Sequence, residues 1–179
     1  DIPAAAPTPA SSTDATNTTN TTNTTDAPPG RSTAHQLPRA GLDPITDAET
    51  ALAVLEAVIH HPPRSEVIVL TLDDAGCGHH VVVVADTESD DDVLEVAESV
   101  LDAAAASAVV DAIVVASVRP PRPPRPARST PADAEADALR WIELDQIAEE
   151  VGIGLVEWFV IGDTVTRPRE LAGDPPRWW

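Results

Sequence analysis

The stretch "AIVVASVRPPRPPRPARSTPAD" (residues 112–133) decides the fold. Its first seven residues form a nearly continuous apolar run, which is typical of a strand covered on both faces. Its last residues are typical of a helix start, with Thr130 as N-cap, Pro131 at the first helical position and Asp133 in the first turn. A covered strand that leads into a helix predicts a β-sheet with helices packed on it.

The flanking sequence predicts the remaining elements. Thr46 and Glu49 have the spacing of a capping box at the start of a first helix, and Gly152 is placed to end the third helix. Apolar periodicity predicts helices at about 47–60, 89–107 and 131–151, and strands at 66–72, 79–85, 112–118, 155–161 and 164–166. A hairpin followed by strand–helix–strand connections predicts an α/β fold with a mixed β-sheet between helical layers.

The chain divides into three regions by composition. Residues 1–44 are rich in Ala, Pro, Thr and Asn, and we expect them to be a disordered tail. Asn-x-Thr sequons within "NTTNTTNTT" (17–25) would be glycan acceptors only in a secreted protein. The folded domain is predicted at 45–172, and residues 173–179 are predicted to be an irregular C-terminal tail.

Net charge, the length of the apolar runs and the cysteine count each limit what the protein can do. The 179 residues include 30 acidic and 11 basic ones, for a net charge of −19, which argues against nucleic-acid binding. No apolar run is long enough to span a membrane, so we expect no membrane partner. A single cysteine, Cys77, excludes an intramolecular disulfide. We expect a cytoplasmic protein, although the chain starts without Met and secretion stays open.

The second half of the chain resembles a RadC-type JAB/MPN domain. "DAIVVASVRP" (111–120) corresponds to that family's buried strand and His-x-His-Pro motif, "STPAD" (129–133) to its Ser/Asp helix start, and "EEVGIGLVEWFVIGD" (149–163) to its closing helix and strand. The resemblance implies the three-layer architecture of JAB/MPN and cytidine-deaminase-like domains. It also implies a zinc ion held by two histidines and an aspartate, with a carboxylate that activates the zinc-bound water for amide hydrolysis.

The residues at the corresponding positions depart from that pattern. Ser117 and Arg119 stand where the family has its two histidines, and Asp133 remains as the one possible ligand. A guanidinium cannot coordinate zinc and would repel it. We therefore expect no metal and no cofactor, and we predict a non-catalytic domain that serves as a protein-interaction or regulatory module.

The loop after the strand carries an arginine repeat. Arg119, Arg122, Arg125 and Arg128 recur every three residues, so a polyproline II conformation would align them on one face. These arginines either fold back onto the chain's own acidic residues near 90–92 or bind an acidic protein partner or another anionic ligand, such as a phosphate. The segment 120–125 also matches the PxxPxR pattern of SH3-type ligands.

Two other functions compete with the interaction module. One is a hydrolase with a remodelled site around the 117–133 loop, which would need His79, His80, Asp133 and Ser129 to converge. The other is weak nucleic-acid association through the arginine loop alone. The paired histidines at 60–61 and 79–80 suggest metal binding, but a seven-residue strand separates them by about 23 Å.

Overall fold

A computed structural model describes residues 36–120 and 131–178. The described residues form a mixed α/β fold with one five-stranded sheet and four helices. The strands are β1 (Glu66–Leu72), β2 (Gly78–Ala85), β3 (Ala112–Val118), β4 (Gly154–Ile161) and β5 (Val165–Thr166). The helices are α1 (Ala48–Glu56), α2 (Asp92–Ala105), α3 (Pro131–Glu150) and α4 (Pro168–Ala172).

The sheet has the strand order β2-β1-β3-β4-β5. β1 is antiparallel to both β2 and β3, β3 and β4 are parallel, and β5 is antiparallel to β4. A parallel pair needs a crossover connection, and the long helix α3 makes it. The C-terminal end of β3 therefore lies beside the start of β1, where Glu66 is paired with Val118.

The central strand is covered on both faces, as its apolar run predicts. All seven residues of β3 are buried. Ile113 and Val115 belong to the apolar cluster on one face, together with α2 and α3, whereas Val114 and Ala116 belong to the cluster on the other face, together with α1. Helices therefore pack on both sides of the sheet.

The start of α1 differs from the predicted capping box. Asp47, not Thr46, is the N-cap, and its carboxylate accepts a hydrogen bond of 2.7 Å from the backbone N–H of Thr50. The helix ends at Glu56, about four residues earlier than predicted. The chain then turns so that the backbone N–H of His60 reaches the Glu66 carboxylate at 3.1 Å, which a continued helix would prevent.

The end of α3 agrees with the prediction, whereas the short helix α4 was not predicted. Gly152 ends α3 as predicted, with a left-handed φ of 76°, while the N–H of Ile153 donates to Ala148. The five-residue α4 was not predicted, because one turn is too short to show periodicity.

Of the predicted N-terminal tail, residues 1–35 lie outside the described residues, and Pro44 bridges to Cys77 beside the hairpin turn.

No helix in the described ranges combines the length and the apolar character needed to cross a membrane.

Candidate functional site at the C-terminal end of β3

Three segments of the chain bring charged side chains together where β3 ends. Arg119 directly follows β3, and Asp137 and Arg140 lie on α3. Asp90 and Asp91 come just before α2. These residues are far apart in sequence and meet only because α2 and α3 pack on the same face of the sheet.

Arg119 is the centre of this cluster. Its Nη1 and Nη2 donate to the two carboxylate oxygens of Asp137, at 2.8 and 2.6 Å. Its Nε lies 3.0 Å from Asp90 Oδ1 but without hydrogen-bond geometry. The side chain is 26% exposed, against 5% for Asp137, so this bidentate ion pair is largely removed from water. Burial opposes the charge on Arg119, but hydrogen bonding and attraction from Asp137, helped by Asp90 and Asp133, outweigh it and raise the pKa of the guanidinium.

A second arginine extends the cluster toward the surface. Arg140 donates from Nε to Asp91 Oδ1 at 2.7 Å and from Nη1 to Asp137 Oδ1 at 3.2 Å. Asp137 is thus shared by two arginines, which ties the end of β3 to α3 and α3 to the start of α2.

The carboxylate of α3 that binds Arg119 is Asp137, whereas the sequence analysis named Asp133 as the aspartate of the ligand position. Asp133 is exposed and lies one turn earlier, where it adds to the negative field around Arg119. The sequence did contain a signal for Asp137. It precedes the buried Trp141 by four residues and Leu144 by seven, so helical spacing puts it on the buried face.

Ser117, the other departure from the histidine motif, supports the core. It is 8% exposed, and its Oγ accepts a hydrogen bond of 3.0 Å from the indole Nε1 of the fully buried Trp158. A buried indole N–H without an acceptor would be costly, so this hydroxyl has a structural purpose.

A buried glutamate that the sequence analysis missed begins β1, next to the end of β3. It is paired with Val118, which belongs to the α1 face of the sheet, so its carboxylate lies on the face opposite to Ser117. Glu66 is 0% exposed, and its Oε2 is 2.6 Å from His60 Nδ1. The available signal was a charged residue at the start of the otherwise apolar "EVIVLTL" strand, just after a histidine pair.

These groups open onto a pocket of about 290 Å³. Its lining includes Glu66, Ser117 and Arg119, with Ser89 and Asp90 from the segment before α2. The lining is polar and holds several carboxylates. Since the Arg119 charge is balanced by Asp137 and Asp90, the pocket has no free cation among the described lining residues to attract an anion.

The arginine loop is only partly described. Arg119 points back into the protein and contacts Asp90, so it belongs to the charged cluster and not to an outward stripe. Arg122, Arg125 and Arg128 lie outside the described residues.

The two histidine pairs lie at opposite ends of β1. His60 contacts Glu66 at its start, whereas His79 Nε2 is 3.0 Å from Asp73 Oδ2 in the hairpin turn at its far end. Within 36–120 and 131–178, no three His, Cys, Asp or Glu side chains are grouped so that they could hold a metal ion.

The residue set predicted for a hydrolase is also divided. His80 is paired with Thr71 on β1, which in turn is paired with Ile113 near the beginning of β3. α3 begins beyond the other end of β3, about 17 Å away along the strand. His79 and His80 therefore do not share a pocket with Asp133, and Ser129 lies outside the described residues.

The sequence matches no known protein-family model, and it matches no curated protein.

Proposed function

We propose that this chain is a non-catalytic RadC-like JAB/MPN domain that acts as a protein-interaction or regulatory module. The observation that carries the proposal is the bidentate ion pair of Arg119 with Asp137, at the place where such a domain would bind its zinc ion.

The architecture is consistent with the assignment. A helix, a hairpin and a second helix precede the buried strand, and α3 then connects it to the parallel strand β4. Helices on both faces of the sheet fit the three-layer arrangement that the sequence resemblance implies. On this assignment Ser117 and Arg119 take the histidine positions and Asp133 takes that of the ligand aspartate. Asp137, one turn later on α3, is the carboxylate that Arg119 binds.

The chemistry of these residues disfavours a catalytic zinc. The guanidinium of Arg119 occupies both oxygens of Asp137 and places a permanent positive charge beside them. Ser117 is engaged with Trp158, and Glu66 with His60. An intact zinc site needs three deprotonated protein ligands with an open fourth position, and this cluster instead neutralises its carboxylates internally.

The interaction surface in this proposal is the loop 119–128. Because Arg119 is paired with Asp137, the arginines that this proposal assigns to the partner are Arg122, Arg125 and Arg128. An arginine repeat in a proline-rich segment suits an acidic protein surface, or another anionic group such as a phosphate that guanidinium forks can bind.

Zinc binding tests the non-catalytic assignment. The full chain should contain no stoichiometric zinc by elemental analysis and should bind none in a titration. Replacing both positions (Ser117→His with Arg119→His) should create zinc binding that is lost again on Asp133→Ala. Control changes at the hairpin end, His79→Ala and His80→Ala, should have no effect on it.

Two results would overturn the assignment. One is stoichiometric zinc in the unchanged protein that disappears on Asp133→Ala. The other is hydrolysis of an amide substrate that is lost on Glu66→Gln and kept on His79→Ala, which would support the alternative of a hydrolase with a remodelled site around residues 117–133.

Charge reversal in the loop tests the interaction surface. Arg122→Glu with Arg125→Glu should abolish capture of partners from the source cell, while Arg31→Glu, elsewhere in the chain, should not. If the captured partners are unchanged, the loop is not the contact surface. Salt-sensitive binding of duplex DNA or RNA by the unchanged chain would instead favour weak nucleic-acid association through the loop.

A further inference from the structure

The second histidine pair lies at an irregularity in the ladder between β1 and β2. Thr71 is paired with His80 and Leu72 with Gly78, so His79 is an extra residue in β2, a β-bulge. The side chains of successive strand residues normally point to opposite faces of a sheet. The rings of His79 and His80 nevertheless have centroids only 6.3 Å apart, with their planes tilted by 52°. The bulge therefore brings together two imidazoles that a regular strand would separate.

The carboxylate of Asp73 fixes the tautomer of one of these histidines. Its Oδ2 lies 3.0 Å from His79 Nε2, and its Oδ1 accepts from the backbone N–H of Cys77 at 2.7 Å and of Ala75 at 3.0 Å. The hydrogen bonds from Cys77 and His79 hold the pKa of the Asp73 carboxyl below its ordinary value, so the group is ionised and can only accept. The proton in the contact therefore belongs to Nε2, and neutral His79 carries its lone pair on Nδ1.

This arrangement is typical of a histidine that binds a metal ion. Such a histidine almost always donates its other ring N–H to a carboxylate, a backbone carbonyl or a water, which orients the ring and raises its basicity. The His79 side chain is 30% exposed and His80 is exposed, so an ion in solvent can reach both rings. Two imidazoles on one metal ion have centroids about 5–6 Å apart, because each metal–nitrogen bond is about 2.0–2.1 Å long. A small rotation of the exposed His80 side chain is enough to reach that separation.

We infer that His79 and His80 form a two-histidine site for a divalent transition-metal ion, with Cu²⁺ preferred, and that Asp73 is the positioning residue for His79. Imidazole suits copper, and a given set of nitrogen and oxygen ligands binds Cu²⁺ more tightly than Zn²⁺. Zinc sites take three or four protein ligands, and no third ligand joins this pair among the described residues. Water would complete the coordination of the ion.

The neighbouring thiol is not a ligand in this inference. Cys77 is 7% exposed, and burial, followed by the charges of Asp73, Asp43 and Asp74, raises the pKa of its thiol. A cysteine binds metals as the thiolate, which these surroundings disfavour. The same three carboxylates make the hairpin end attractive to a cation.

The inference goes beyond the proposed function. It concerns the opposite end of β1 from Arg119, and a different metal ion from the zinc of JAB/MPN domains. Either can therefore fail without the other.

Titration of the full chain with Cu²⁺ at neutral pH, followed by calorimetry and electron paramagnetic resonance, tests the site. A copper ion with nitrogen ligands is expected, and His79→Ala and His80→Ala should each weaken its binding at least about ten-fold. His61→Ala, which removes an exposed histidine from the other pair, is the matched control and should leave the affinity unchanged. Cys77→Ser should also leave it unchanged. Unfolding curves verify that the variants fold.

Nuclear magnetic resonance of the imidazole nitrogens tests the role of Asp73. The metal-free protein should show His79 protonated at Nε2, and Asp73→Asn, which keeps an oxygen acceptor but loses the charge, should weaken Cu²⁺ binding about ten-fold. The inference is overturned if the full chain binds no Cu²⁺, or if a variant without both histidines binds it as tightly as the parent. A metal-free His79 protonated at Nδ1, or loss of binding on Cys77→Ser, overturns it as well.

Discussion

Two arginines, Arg169 and Arg119, are each held by a carboxylate, but their surroundings differ. Arg169 follows β5 in α4 and binds Glu157 in the middle of β4, and the two side chains are 2% and 0% exposed. Both carboxylate oxygens are engaged, and Nη1 donates to the carbonyl of Asp174 at 2.7 Å. Arg119 lies at the edge of a pocket, and its Nε has an ion-pair contact without a hydrogen bond.

The difference separates a structural pair from one that can change partners. Glu157 and Arg169 are twelve residues apart and fasten the C-terminal segment onto β4, so the pair cannot open without unfolding that segment. Even so, burial raises the pKa of Glu157 more strongly than the guanidinium lowers it. Arg119 joins β3 to α3 and to the segment before α2, and a bound group could compete for it without unfolding the sheet.

The largest expected effect comes from breaking the enclosed pair on one side only. Glu157→Leu leaves the Arg169 cation buried without its carboxylate and should lower the free energy of unfolding by about 3–5 kcal/mol. Adding Arg169→Met to that change should recover most of the loss, because apolar side chains of similar size can replace a buried ion pair. Urea denaturation of the single and double variants measures both effects.

The pH dependence of the free energy of unfolding should also differ between the parent and the double variant. Since the folded pKa of Glu157 is raised above its usual 4.5, the folded state binds more protons, and the contribution of this group to stability falls as the pH rises through the range above that value. The double variant should lack this fall. If the single and double variants are equally unstable, or if the pH dependence is unchanged, the enclosed pair does not behave as described.

A smaller effect is expected at the open pair. Asp137→Ala removes the bidentate partner of Arg119 and one contact of Arg140, but the Arg119 side chain is 26% exposed and keeps Asp90 nearby. The free energy of unfolding should fall by about 2–3 kcal/mol in urea denaturation.

Two control substitutions of exposed acids provide the comparison for the loss expected on Asp137→Ala. Glu135→Ala, an exposed acid on the same helix, and Asp91→Ala, the 74%-exposed partner of Arg140, should each stay within about 0.5 kcal/mol of the parent. A loss on Asp137→Ala no larger than theirs would mean that Arg119 is not fixed by Asp137, and the contrast between the two arginines would disappear.

The regular elements were largely predictable because their signals are local. The bounds of β1 and β3 agree with the apolar runs, and Gly152 ends α3 because its lack of a side chain suits the left-handed conformation. The start of α1 was wrong by one residue, since Thr46 and Asp47 are both good caps and only the turn geometry selects between them.

The candidate site was less predictable because its contacts join residues that are distant in sequence. The sequence singled out Arg119, but its partners depend on the packing of α2 and α3 against one face of the sheet. Asp137 was passed over in favour of Asp133, although helical spacing from Trp141 would have found it. Glu66 meets His60 only because α1 ends early and the chain turns back toward β1.

By itself, the sequence determined the α/β class, the order of the strands and helices, and the presence of an arginine directly after the covered strand β3. These features depend on apolar periodicity, on caps and on residue chemistry, all of which act over a few neighbouring residues. Only the tertiary structure decided which carboxylate holds Arg119, which polar groups surround the pocket and which strands form the two edges of the sheet. Those depend on strand order and helix packing, which are set by burial across the whole domain.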